Sequence, residues 1–243
     1  MLILVNHLTR MTAPNICVAG IEVVKKGDKY ALTGRHIRPV CRPNLNVDHA
    51  GIFQLGCLVD LGEVIEAGAA PEIEDVRFRV QSTSIVSSIR PEAFIEAMQR
   101  VSKPTLSEIF GDELEERGRT GCLPEGCGLC SLGVLTARRA QLSIEPSDKG
   151  DKLFALFSDN FGPRRLRVTD ARFCRPPDWQ LDADVVQSVN QALSSVEAHI
   201  AVGVGRPFAS GADAAKVHWL QANNIFPTST PLWEGTLANL WQR

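Results

Sequence analysis

The chain has 243 residues, 44% hydrophobic and 22% charged, the profile of a packed globular protein, which excludes disorder or a fibrous repeat as its overall design. With 26 basic against 28 acidic residues the net charge is −2, so this is no polyelectrolyte that coats nucleic acid nonspecifically, and any anion site must be local. Seven cysteines, an odd number, with Cys17, Cys41 and Cys57 among apolar or strand-like neighbours, argue for reduced thiols and against a disulfide scaffold.

The opening MLILV is too short for a signal-peptide core and no later apolar run reaches membrane-spanning length, so the expected location is the cytoplasm, with no membrane partner. The first ninety residues alternate and break as β segments: Met1 to Leu8, Ile16 to Lys25, Tyr30 to Val40, Phe53 to Ile65 and Val76 to Ser84. Lys26-Gly27-Asp28 reads as a hairpin connection. Pro91 suits a first helical position, and Phe94, Ile95, Met98 and Val101 form one apolar helical face that Pro104 should end. Thr105 and Glu108 have capping-box spacing ahead of a second short helix, and the acidic run Asp112 to Glu116 reads as its solvated end.

Strands resume at Leu129 to Arg138, Gln141 to Ile144, Lys152 to Ser158 and Arg164 to Cys174. Asp182 caps a helix whose apolar face is Val185, Val186, Val189, Leu193 and Val196, and Ile200, Val202 and Val204 then alternate as a strand. Phe208 to Lys216 reads as an exposed loop, Val217 to Ile225 as a last strand, and the final ten residues as loosely held. The fold class expected is therefore mainly β with a few helices, in two β-rich halves joined by helices around residues 90 to 117. The halves repeat a pattern and not a sequence.

Arg164, Arg165, Arg167, Arg172 and Arg175 crowd into twelve residues. With Leu166 and Val168 pointing inward, strand alternation places Arg165, Arg167 and Thr169 on the other face, where guanidinium groups can grip phosphates; the alternative is a solvated face paired with acids. A second basic group is Arg35, His36, Arg38 and Arg42 on and after the strand TGRHIRPV, with His7 and Arg10 near the start of the chain. Arg35 and Ile37 share one face of it and His36 and Arg38 the other, so at least one arginine must be exposed or sit in a polar cleft. A third group combines Arg206 of GVGRPF with His218 and Trp219 of HWLQANN, residue types that stack on bases and bond their edges, although Trp219 in the core beside a satisfied His218 is the favoured reading of that pair.

Cys122, Cys127 and Cys130 contain a CxxC step without an evident fourth ligand, so neither metal nor cofactor is expected. No GxSxG, HExxH, GxxxxGK[ST] or paired-acid motif appears, so no enzyme is expected. Asp159 and Asp170, the acids nearest the arginine stripe, read as turn or ion-pair residues.

Taken together, VNHLTRM, TGRHIRPV, QLGCLVDLGEV, EDVRF, GCGLCSLGVL, RLRVTDARF, VGVGRPF and HWLQANNIF resemble the bacterial dual-OB-domain proteins over nearly the whole chain. The resemblance implies two OB-like β-barrels packed in one unit, residues 1–117 with a helical extension and residues 118–243 with a C-terminal helix and strands. It also implies a noncatalytic module that binds single-stranded RNA or DNA or a nucleotide, in a prokaryotic conflict or RNA-repair system. The residues expected to bind are Arg35, His36, Arg38, Arg165, Arg167, Arg206, His218 and Trp219. With only 6% aromatic residues, arginines should carry the affinity, with Trp219, Phe208 or Phe173 as stacking platforms. The alternatives are a small-nucleotide sensor and an adaptor docking a partner enzyme, the latter cued by Leu232, Trp233, Leu237, Leu240 and Trp241 near the C-terminus.

Overall fold

The computed structural model describes residues 1–27, 29–148, 150–209 and 214–237. Strands account for 48% of it and helices for 15%, a mainly β protein. The first half runs β1 (Leu2–Arg10), β2 (Ile16–Lys26), β3 (Lys29–Val40), β4 (Cys57–Asp60), β5 (Ile65–Glu66), β6 (Asp75–Arg77) and β7 (Ser84–Ser88), then α1 (Pro91–Val101) and α2 (Ser107–Phe110). The second runs β8 (Glu115–Arg117), β9 (Thr120–Pro124), β10 (Leu132–Glu145), β11 (Lys152–Asp159), β12 (Gly162–Val168), β13 (Cys174–Arg175), β14 (Gln180–Leu181), α3 (Ala183–Leu193), β15 (Ala198–Val204) and β16 (Val217–Pro227).

Each half forms a seven-stranded sheet. In the second, β12-β11-β10-β15-β16 closes on itself because β12 also pairs with β16, in parallel, and α3 lies between the third and fourth strands of this circuit. Five strands closed in that order make an OB-type barrel. The first half follows the same path: β6-β3-β2-β1-β4, with β3 and β6 parallel. No pairing joins β6 to β4 among the described residues, so this barrel stays open on that side. Connectivity thus repeats what the hydrophobic pattern suggested.

Several expected elements are shorter or different. Phe53 to Ile65 is strand only at β4 and β5, because Gly56 and Gly62 turn the backbone into positive φ (79° and 70°). Asp112 to Glu116 is not a helix end: Gly111 (φ 89°) stops α2, and Glu115 and Glu116 enter β8, which pairs with β9. Val76 to Ser84 divides into β6, a 3₁₀ turn and β7, and Arg164 to Cys174 stops at Val168, where Asp170 caps another 3₁₀ turn. Leu132 to Glu145 is one strand whose register shifts between Arg138 and Gln141. Two helix starts are as expected: Asp182 accepts from Val185 N, and Thr105 Oγ1 accepts from Glu108 N (3.2 Å). Asp28 of the hairpin connection and residues 210–213 of the expected loop lie outside the described residues.

The C-terminal segment is held, not loose, as far as Leu237. Trp233 Nε1 donates to the Ile225 carbonyl (2.9 Å) and its ring lies 4.7 Å from Phe173, Thr236 N donates to the Arg172 carbonyl, and Leu237 is buried. Leu232 and Trp233 pack against the core. These residues therefore do not form the exposed docking surface expected of an adaptor, because their apolar area covers the core, Leu232 against Gly56 of the first half and Trp233 against Phe173 of the second; Leu240 and Trp241 lie outside the described residues. Phe173, fully buried, is no stacking platform.

One continuous apolar core runs through both barrels, and α1 helps to bridge them: Phe94 packs edge-on against Phe226 of β16 at 4.9 Å. Polar side chains complete the contact. Asn224 behaves like a strand partner for β1, accepting from Leu8 N (2.7 Å) and donating to Leu8 O (3.2 Å). Glu74 accepts from Ser131 N, Ser131 Oγ and Leu132 N across the interface.

His7 and His36 meet edge-to-face at 5.3 Å, with Asn6 beside His36 and Asn223 beside His7. Burial lowers both titrations, that of His36 to about 4. The unfolded chain therefore takes up protons that the folded chain refuses as pH falls from 6.5 towards 4, and stability falls with it. For His36 alone the loss is about 2 kcal/mol at pH 5 relative to pH 7.5, and His7 adds to it. Urea unfolding at the two pH values should show this drop; equal stabilities would contradict burial of the neutral pair.

Candidate nucleic-acid interface

The end of β1 docks on barrel two. Arg10 N donates to the Thr169 carbonyl (2.8 Å) and Thr9 bridges to Asp170, which carries the Arg10 side chain to the outer face of β12. On β12, Leu166 and Val168 are buried in the barrel and Arg167 projects the other way. Arg10 and Arg167 consequently sit together. Burial, reinforced by the Arg10 charge, lowers the Arg167 pKa, and neither side chain has an acidic partner among the described residues. Buried Nε and Nη2 of Arg10 also lack any hydrogen-bond acceptor.

Two like charges side by side without a counter-charge repel one another, and an anion would relieve that repulsion and pair the exposed Arg167 guanidinium. Around them lies a cleft of about 460 Å³ between the barrels, walled also by Arg38, Asn44, Gln221, Asn223 and Arg206. A second cavity, of about 580 Å³, adjoins it and is lined by Gly150, Asp151, Lys152 and the stretch Asp178 to Leu181.

The two barrels contribute equivalent positions to this cleft. Arg38 opens the parallel pairing of β3 with β6, opposite Asp75, and Arg167 opens that of β12 with β16, opposite Gln221. The difference in partner decides the difference in charge. Arg38 is bonded to Asp75 through Nε, with its buried Nη2 left without a partner, whereas a neutral glutamine leaves Arg167 unbalanced. Arg206 stands at the edge, two-thirds exposed, bonded to Glu72 (2.9 Å) and within 3.7 Å of Asp75.

Of the residues singled out in the sequence, Arg38, Arg167 and Arg206 come together here. The others are elsewhere. Arg35 is exposed at a distance from the cleft wall and forks onto Glu66 (2.8 and 2.9 Å). His36 is buried and neutral in the interface described above, so it offers no charge to a phosphate. Arg165 is bonded to Glu145 (2.6 Å) and lies 3.6 Å over the Phe154 ring, the ion-paired strand face weighed as the alternative. His218 is buried and donates from Nδ1 to the Gly205 carbonyl (2.9 Å), so it positions the loop that carries Arg206 and does not meet a ligand itself. Trp219 faces the same way as Gln221 but lies beyond the cleft wall, between Phe208 and Arg117.

The remaining arginines of the dense run are structural. Arg164 is buried between Asp159 and Glu116, Arg172 is buried on Asp170, and Arg175 pairs with Asp182. Asp159 and Asp170 are thus the turn and ion-pair residues expected. Among the described residues no three His, Cys, Asp or Glu side chains gather as a metal site; Cys130 donates to the Ile109 carbonyl, and burial pushes its thiol up to about 12. No helix among them is long and apolar enough to cross a membrane.

Arg10 stands in the cleft although the sequence does not mark it as a binding residue. Its only local signal was a cation ending an apolar strand, and nothing nearby in the chain indicates that Arg167 lies against it.

No family model matches the chain, and no curated protein matches it. Among solved structures it is similar to a murine DNA binding protein bound with double-stranded DNA, at 9% identity and a TM-score of 0.31 over 94% of each chain. It is also similar to the tetrameric p202 HIN2, at 11% identity and a TM-score of 0.28 over 91% of this chain and 86% of that one. Likenesses this distant carry no argument about the site.

Proposed function

We propose that the protein is a noncatalytic OB-type module that binds single-stranded nucleic acid or a nucleotide in the cleft between its barrels. The observation that carries this reading is the Arg10 and Arg167 pair, two adjacent cations without an acidic partner. Their setting supports it. OB barrels hold oligonucleotides on the face of their second and third strands, between the loops joining strands one to two and four to five. Arg167 is on the third strand of barrel two, Gly150 to Lys152 end its first loop, and Gly205 and Arg206 begin its last.

Membership of the bacterial dual-OB-domain proteins, and a role in a conflict or RNA-repair system, rest on the sequence resemblance. A small-nucleotide sensor would use the same cleft, and its walls on both barrels favour that second reading over a duplex reader.

Fluorescence anisotropy with labelled single-stranded RNA, single-stranded DNA and duplex tests the proposal. Binding should be micromolar or tighter, with log affinity falling against log salt at a slope of roughly −2, for about three phosphate contacts on a single strand. Absence of saturable binding to all three would contradict it.

A further inference from the structure

The two cavities share only Arg10 and Arg167 in their walls. The arginine pair is therefore a divide with a chamber on either side. Both volumes, about 460 and 580 Å³, lie within the roughly 300–1,000 Å³ of small-molecule sites. The wall of each chamber includes a residue with a buried donor that has no acceptor: Arg38, nine-tenths buried, through Nη2 in the first, and Trp179, 7% exposed, through Nε1 in the second. Trp179 holds φ at 57°, a conformation that an aromatic residue adopts only where its surroundings enforce it.

The chambers differ in chemistry. The first offers the amides of Asn44 and Gln221, which match the donor and acceptor pattern of a base edge, while Asn223 behind them is held by Thr169 and His7. The second sets Lys152, Gln180 and Trp179 beside the carboxylates of Asp151 and Asp178. Those carboxylates repel a phosphate but accept from sugar hydroxyls and base amino groups. Among the described residues, the divide is where two cations stand side by side with no acidic partner.

We infer that the cleft is a two-nucleotide site: one phosphodiester rests on Arg10 and Arg167, with one nucleoside in the Arg38 chamber and the next in the Trp179 chamber. This rests on the nucleic-acid reading above and deepens it. The ligand class is a dinucleotide, free or as a segment of a single strand.

Competition for fluorescein-labelled U8 and A8 by unlabelled mononucleotides (UMP, AMP), dinucleoside monophosphates (UpU, ApA) and octamers tests it. The dinucleoside monophosphates should compete about thirtyfold better than the mononucleotides, and within about fivefold of the octamers, since each enclosed base adds its own contacts. Lys152→Ala, on the wall of the second chamber only, should weaken UpU or ApA about tenfold and leave UMP or AMP unchanged. Mononucleotides equal to dinucleotides, or affinity climbing more than tenfold from dimer to octamer, would overturn the two-chamber site while leaving the nucleic-acid reading intact. Labelled octamers that fail to bind would remove both.

Discussion

Arg172→Met should destabilise the protein by about 3–5 kcal/mol, the range for breaking a buried ion pair, and lower its Tm by roughly 10 °C. Asp170 and Arg172 are both almost fully buried, joined by three hydrogen bonds of 2.7 to 3.3 Å, and tie three parts of barrel two together. Arg172 donates to the Ile225 carbonyl and lies 3.8 Å over the Trp233 ring; Asp170 accepts from Ile225 N and Arg172 N. Methionine replaces the aliphatic volume but leaves the Asp170 carboxylate buried without its counter-charge. Asp170→Asn together with Arg172→Met should be less destabilised than the sum of the two single variants. Arg35→Met, which breaks an exposed pair, should change stability by less than about 1 kcal/mol. Calorimetry of the four variants checks the ordering, and a tolerant Arg172→Met would contradict the view that this pair holds the C-terminal segment in place.

Arg10→Gln with Arg167→Gln should weaken single-strand binding about a hundredfold without lowering Tm. Each arginine contributes a charge-assisted contact of about 1.5–3 kcal/mol to a phosphate, so losing both removes at least about 3 kcal/mol. The salt slope should flatten by about 0.7, since both arginines rest on one phosphate. Stability moves the other way from an ordinary site residue. The folded protein already disfavours the Arg167 charge through burial and the Arg10 charge beside it, so neutral side chains relieve repulsion. Arg35→Gln with Arg165→Gln removes equal charge from the surface outside the cleft and should leave affinity within about threefold. Anisotropy and thermal melting of the two double variants separate a local anion site from a general effect of net charge.

β1, β2, β3, β11 and β16 lie within two residues of their expected limits; β11 was legible because burial on one face imposes a period of two, and β1 and β16 because they are apolar runs, buried over most of their length and bounded by turn residues. So was the strain in TGRHIRPV. A strand carrying Arg35, His36 and Arg38 could not bury both faces unaided, and it escapes by exposing Arg35, neutralising His36 and opening Arg38 onto the cleft. Partner identity was not legible. Whether an arginine is free or paired depends on which acid lies across a sheet or a loop: Glu145 for Arg165, Asp170 for Arg172, Gln221 opposite Arg167. Density of arginine in the chain pointed to the right strand, yet four of those five residues are committed to carboxylates. The fifth, Arg167, has no acidic partner among the described residues, and the chain's first strand sets Arg10 beside it, a juxtaposition spanning more than 150 residues.

Hydrogen–deuterium exchange with and without a saturating single-stranded octamer tests most directly whether the cleft is the binding surface. Bound oligonucleotide should protect the amides of Thr9 to Thr12, Arg167 to Thr169 and Val204 to Arg206, and leave the hairpin around Phe161 and the outer end of β11 unchanged. Protection confined to that hairpin and the Phe154 and Arg165 face, with the cleft segments exchanging as before, would contradict the account.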